Sequence, residues 1–160
     1  MRRWIFGVVT VTTLLALNVL ILQKERVLHS GARMYLRLAP RDPRSWMQGD
    51  YMALNYELIG QFRANSPREN GHLVVKLDAN GVAGLVRLHD GTPLAPGEHL
   101  LRYRARDQMR LGAESYLFQE GQADLFNAAR YGELRVAPSG ESVLVGLAND
   151  RLEPLGPRRR

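Results

Sequence analysis

Asp42-Pro43-Arg44-Ser45-Trp46-Met47-Gln48-Gly49-Asp50-Tyr51-Met52-Ala53-Leu54-Asn55-Tyr56 is the stretch from which the fold is read. Asp42-Pro43 favours a turn, because proline fixes φ and pushes the residue before it out of the helical region. Gly49-Asp50 marks a second reversal, glycine reaching positive φ without steric cost. From Tyr51 the side chains alternate. Met52, Leu54, Tyr56 and Leu58 share one face, and Tyr51, Ala53, Asn55 and Glu57 the other. A period of two is the mark of a half-buried strand. The two aspartates thus flank a strand entrance. They either cap turns through their own backbone amides or, with Arg44, line a binding surface.

The same grammar runs outward in both directions. Ala32 to Leu38 alternates into a strand that stops at Pro40, and Asn65 to Gly71 has loop composition. Leu73–Leu77 and Val82–Leu88 flank Asp78-Ala79-Asn80-Gly81, a hairpin with an Asn-Gly turn. Leu100–Ala105 is a further strand carrying Arg102 and Arg104, with Arg106 continuing their outer face. Leu134–Ala137 and Ser142–Leu147 form a last hairpin turning at Ser139-Gly140. Gly121 to Tyr131 has helical spacing at Leu125, Phe126 and Ala129, with Gly132 placed to end it. The expectation is a mainly β domain over 32–156, a small barrel or sandwich with one short helix.

A duplication is also written in the order of the letters. Leu36-Arg37 and Arg41-Asp42 return as Leu101-Arg102 and Arg106-Asp107, and Gly49 and Leu54 as Gly112 and Leu117. Gly71, Leu73, Val75, Gly81, Val86 and Leu88 return as Gly132, Leu134, Val136, Gly140, Val145 and Leu147. Self-similarity at a steady offset is what repeats produce, and it suggests two β units, 34–94 and 99–155, about a pseudo-twofold axis.

Trp4 to Leu22 contains no charged residue and meets the roughly 20-residue requirement of a membrane-crossing helix. It is long for a signal-peptide core and lacks a small-x-small cleavage site. Arg2-Arg3 favour an inside N-terminus over residues 1–3, against a weaker pull from Lys24 and Arg26. The reading is a signal anchor over 4–22, a linker over 23–31 whose Gln23–Ser30 part is alternatively a polar continuation of the helix, an extracytoplasmic (periplasmic) domain and a basic tail over 157–160. The chain has no cysteine, which excludes disulfides, thiolate metal sites and a lipidated N-terminal cysteine. A net charge of +6, nearly all arginine, is partly spent at Arg2-Arg3 and Arg158-Arg159-Arg160. The remainder interleaves with acids and forms no aromatic-basic stripe, so nucleic acid is not an expected partner, and weak attraction to anionic headgroups fits better.

Gly49-Asp50-Tyr51-x-x-Leu54-x-Tyr56 resembles, letter for letter, the signature of the GDYxxLxY family of membrane-anchored bacterial proteins. Gly112-Ala113-Glu114-Ser115-Tyr116-Leu117-Phe118-Gln119-Glu120-Gly121 is similar to a second family segment, with Gln119 standing where proline is usual. The resemblance spans most of the chain after the first helix. It implies a membrane-anchored protein with no assigned reaction, associated with multi-span membrane proteins, and it supplies no catalytic residue.

The residues themselves support one enzymatic reading. Ser45-x-Met47-x-Gly49-Asp50 after a membrane anchor resembles type I signal peptidases, with Lys76 as base to the Ser45 nucleophile. Trp46 separates serine from methionine, the following proline is missing, and Lys76 falls on a hairpin face beside Asp78, all departures from that pattern. His29, His72, His89 and His99 show no metal-ligand spacing, so no metal and no cofactor are expected. Glu114 and Glu120 with Asp50 either serve acid-base work or pair with surface arginines. The leading expectation is a binding or accessory domain. Its contact set is Asp42, Arg44, Gly49, Asp50, Tyr51, Tyr56, Glu114, Tyr116 and Glu120, beside Trp46, since aromatics and arginine dominate interface energetics; Trp46 and Tyr56 are alternatively core residues, and for Tyr56 the core reading is the stronger.

Overall fold

The computed structural model describes residues 2–39, 47–48, 51–62, 67–105, 107–119 and 121–156. Helix α1 (Arg2–Ser30) comes first, and its apolar side chains from Trp4 to Leu22 are all exposed. It is the one helix among the described residues long and apolar enough to cross a membrane. Three polar side chains of the apolar span bond back to the helix itself: Thr10 Oγ1 donates to Phe6 O, Thr13 Oγ1 to Val9 O, and Asn18 Nδ2 to Leu14 O, each at 2.9 Å.

Of the two readings of the segment after Leu22, the helical continuation is the one seen. Gln23 to Ser30 stays helical, and Val27 is buried against the domain. Gly31 N donates to Val27 O at 2.9 Å, and Arg135 Nη1 donates to Gly31 O at 3.2 Å. A Cβ on Gly31 would lie 2.4 Å from Val27 O and 3.0 Å from Val136 N. A side chain at position 31 would therefore run into backbone, and glycine is the residue that fits this junction.

The strands are β1 (Ala32–Arg37), β2 (Met47–Gln48), β3 (Tyr51–Ala53), β4 (Gly71–Leu77), β5 (Ala83–Leu88), β6 (Glu98–Ala105), β7 (Met109–Arg110), β8 (Ser115–Leu117), β9 (Tyr131–Val136), β10 (Ser142–Ala148) and β11 (Pro154–Leu155). Two single-turn helices, α2 (Glu57–Gly60) and α3 (Ala123–Phe126), interrupt them. The fold is mainly β, as expected. Two four-stranded sheets, β1-β9-β10-β11 and β5-β4-β6-β7, curl as half-barrels, and a small β2-β3-β8 sheet completes the unit. One seam between the curled sheets is the parallel Tyr35–Val82 bridge, with Tyr35 N donating to Gly81 O at 2.9 Å. The other is Arg102 N donating to Gly140 O at 2.8 Å. Met34, Leu36, Met52, Leu73, Leu101, Phe126, Leu134 and Leu147 fill the interior, each contributing roughly 1.5–3 kcal/mol by leaving water.

The pairing carries an internal correspondence. Leu73 with Leu88, Val74 with Arg87 and Val75 with Leu85 recur 59 residues on as Gly132 with Leu147, Glu133 with Gly146 and Leu134 with Leu144. Both hairpins skip a valine at the bulge, Val86 in one and Val145 in the other. Each hairpin takes its third strand from the opposite half: β1 pairs with β9, and β6 with β4. At the centre Met52 pairs with Tyr116 in the antiparallel β3–β8 ladder. In this register Gly132 corresponds to Leu73, not to Gly71.

Three expectations are corrected. The strand from Tyr51 ends at Ala53, although Met52, Leu54, Tyr56 and Leu58 are all buried as the alternation implied. Beyond Tyr56, which bridges Leu38, the chain turns into α2 and Leu58 reaches the core from a helical turn. Gly121–Tyr131 holds only one helical turn, which buries Phe126 and leaves Leu125 exposed. Gly132 is no cap. It lies inside β9, where a Cβ would meet the Tyr56 ring at 3.1 Å.

Candidate functional site

The signature strand divides its letters between two faces. Leu54 and Tyr56 point inward. The Tyr56 hydroxyl donates to Ala113 O at 2.6 Å, and its ring lies against Gly132. Burial, followed by the nearby Glu114 charge, holds the phenol far above its ordinary titration range. Leu54 N donates to Glu114 O at 2.7 Å. Glu114 in turn folds its carboxylate back onto its own turn, accepting from Leu111 N and, at 2.9 Å, from Gly112 N, where φ is +81°. Tyr56, Leu54 and Glu114 thus stitch the 111–114 turn to the signature strand.

Tyr116 is also interior, its ring edge-on to Phe126 at 5.2 Å, and the Phe118 ring meets Phe126 at 5.1 Å, tilted by 33°. Of the expected contact residues, the structure brings Tyr51, Tyr56, Glu114 and Tyr116 to one sheet and its flanking turn. Only Tyr51 among the three tyrosines presents surface. Asp42, Arg44, Gly49, Asp50, Glu120, Ser45 and Trp46 lie outside the described residues.

Tyr51 pairs directly with Leu117, which is 62% exposed. Leu117 was not among the expected contacts. The signal for it was the run Tyr116-Leu117-Phe118, three bulky residues that an alternating strand cannot bury together. Beside this sheet lies an open groove of about 710 Å³ lined by Leu54, Tyr56, Ile59, Asp107, Arg110 and Glu114. Its mixed lining suits a polar chain segment better than a small apolar molecule.

A second polar cluster escaped the sequence reading. Glu133, 2% exposed, takes Arg33 Nε at 2.8 Å. The Arg33 guanidinium also donates to the Tyr35 hydroxyl and lies 5.0 Å from that ring's centroid, while Arg37 covers Tyr131 at 5.6 Å. The letters Arg33-x-Tyr35-x-Arg37 and Tyr131-x-Glu133-x-Arg135 share a period, but only the β1–β9 pairing makes them neighbours. Lys76 is exposed at the rim of another groove with Arg37, Glu57 and Asp78. A serine–lysine pair needs its lysine shielded from water. No cluster of three metal-binding side chains occurs among the described residues.

Neither a curated protein nor a solved structure matches the chain. The GDYXXLXY protein family model matches residues 13–147. With that span covering most of the chain, including the signature strand and both hairpins, the protein belongs to the GDYXXLXY family.

Proposed function

We propose that this protein is a membrane-anchored accessory domain, held on the extracytoplasmic face of the cytoplasmic membrane, that binds a multi-span membrane protein. The observation that carries the reading is α1: nineteen consecutive uncharged residues, all exposed, running without a linker into a folded β domain. An apolar helix of that length, with no domain surface covering it, fits the bilayer core. The Tyr51–Leu117 pair supplies an aromatic–aliphatic patch on the same chain for a protein partner. Arg2-Arg3 favour an inside N-terminus.

The test is purification of tagged full-length protein from its own host in mild detergent. A multi-span partner at stoichiometric level is expected, and it is lost in Tyr51→Ala and Leu117→Ala variants that still fold. A partner retained in both variants refutes this contact surface, and a chain that purifies alone refutes the accessory role. A C-terminal alkaline phosphatase fusion reads the side of the membrane: activity is expected, and a silent fusion on a stable protein overturns the orientation.

A further inference from the structure

The β9–β10 turn is tied to the helix at the level where the apolar segment ends. Lys24, two residues beyond Leu22, reaches Glu141 at 3.9 Å. The same Glu141 oxygen lies 3.7 Å from Arg102 Nη1 of β6. Lys24 and Arg102 keep about half of their side-chain surface exposed, and Pro138 and Ser139 at the turn's tip are exposed as well. The Gly140 contact, which tolerates no Cβ against Arg102 N at 3.1 Å, locks β6 to this turn. α1 runs unbroken from this contact to Ser30, where Gly31 joins it to β1.

The level of Lys24 follows from helix geometry. Trp4 to Leu22 spans about 28 Å, matching a hydrocarbon core of roughly 30 Å. Lys24 then lies about 3 Å beyond the core, inside a headgroup layer roughly 5–8 Å thick. Ser142 to Ala148 is about 20 Å of strand leading from the turn, which separates the Asp150 end from Ser139 by about that distance along β10.

We infer that the β9–β10 turn, with Lys24 and Arg102 on either side of Glu141, is a membrane-contact surface that rests the domain on phospholipid phosphates. This deepens the anchored reading above and rests on it. Basic side chains at such a level are attracted to the headgroup phosphates. The surface fixes which side of the domain, and hence of the Tyr51–Leu117 patch, faces a neighbour in the bilayer.

The chain has no cysteine, so single thiols report cleanly. Full-length Ser139→Cys, Asp150→Cys and Leu14→Cys proteins, each labelled with bimane, go into phosphatidylcholine vesicles holding either a headgroup nitroxide or a mid-chain nitroxide. The headgroup quencher should act at least about threefold more strongly at Ser139→Cys than at Asp150→Cys, since it is confined to a layer roughly 5–8 Å thick. Leu14→Cys should be quenched by the mid-chain nitroxide. Equal headgroup quenching at positions 139 and 150, with position 14 still quenched, overturns the contact surface and leaves the anchor standing. An unquenched position 14 overturns the anchor and this inference together.

Discussion

Tyr56→Phe removes one atom and separates two roles for the last letter of the family signature. The ring remains, so packing against Gly132 is retained. The loss is the hydroxyl's 2.6 Å bond, which leaves the Ala113 carbonyl without its donor in a buried site. A net hydrogen bond of about 1 kcal/mol plus part of the unmet carbonyl's desolvation gives about 2 kcal/mol. For a domain of this size that lowers Tm by about 8 °C. The pH dependence gives an independent handle. The folded phenol is raised above its ordinary value of 10.0, so it stays protonated when the unfolded chain has lost its proton. Its contribution is complete below pH 10 and is lost progressively above it, at up to about 1.4 kcal/mol per pH unit. Tyr56→Phe should therefore flatten the alkaline limb of the stability curve relative to the parent. The assay is thermal unfolding of the full chain in detergent from pH 7 to 11. A Tm within 2 °C of the parent together with an unchanged alkaline limb would refute the assignment of Tyr56 to structure, and contact chemistry would have to account for it.

Three further perturbations probe other features. Arg33→Met removes the guanidinium 2.8 Å from the buried Glu133 carboxylate and should lower stability by about 1–3 kcal/mol, and Glu133→Gln in that background should recover part of it in urea titrations. Gly31→Ala drives a Cβ into Val27 O and Val136 N and should cost about 2–3 kcal/mol, read as increased hydrogen exchange where β1 leaves the helix. Leu117→Ala should change stability by less than about 0.5 kcal/mol, since its side chain is mostly in water, and a larger loss would mean that the patch is structural.

The local plan of this domain was legible because hairpins announce themselves. Asn80-Gly81 and Ser139-Gly140 each place a glycine at positive φ between alternating runs, and both turns formed where those letters stand. The face reading from Met52 to Leu58 also survived the early end of its strand, because a short turn at Glu57 still delivers Leu58 inward. What a linear reading could not supply was partnership. Gly132 reads as a helix cap until β9 is set beside Tyr56, and then it reads as the space the ring needs. Val27 reads as part of a polar linker until β9 and β10 stand beside it. Within the candidate site, Tyr51 kept an outward place, while Tyr56 and Tyr116 proved to be the interior supports of the same sheet.

The exchange of strands between halves also governs when the chain can fold. Ala32 pairs with Val136, and Gly71 with Tyr103, so neither curled sheet closes within its own half. At roughly 5–20 residues per second, on the order of 5–20 s separates the synthesis of β1 from that of β9. During that interval β1 carries an open ladder beside a finished β4–β5 hairpin that cannot satisfy it. A chain stopped at Leu94 thus lacks both the β9 partner of β1 and the β6 partner of β4, and it is expected to stay open to proteases until β9 arrives.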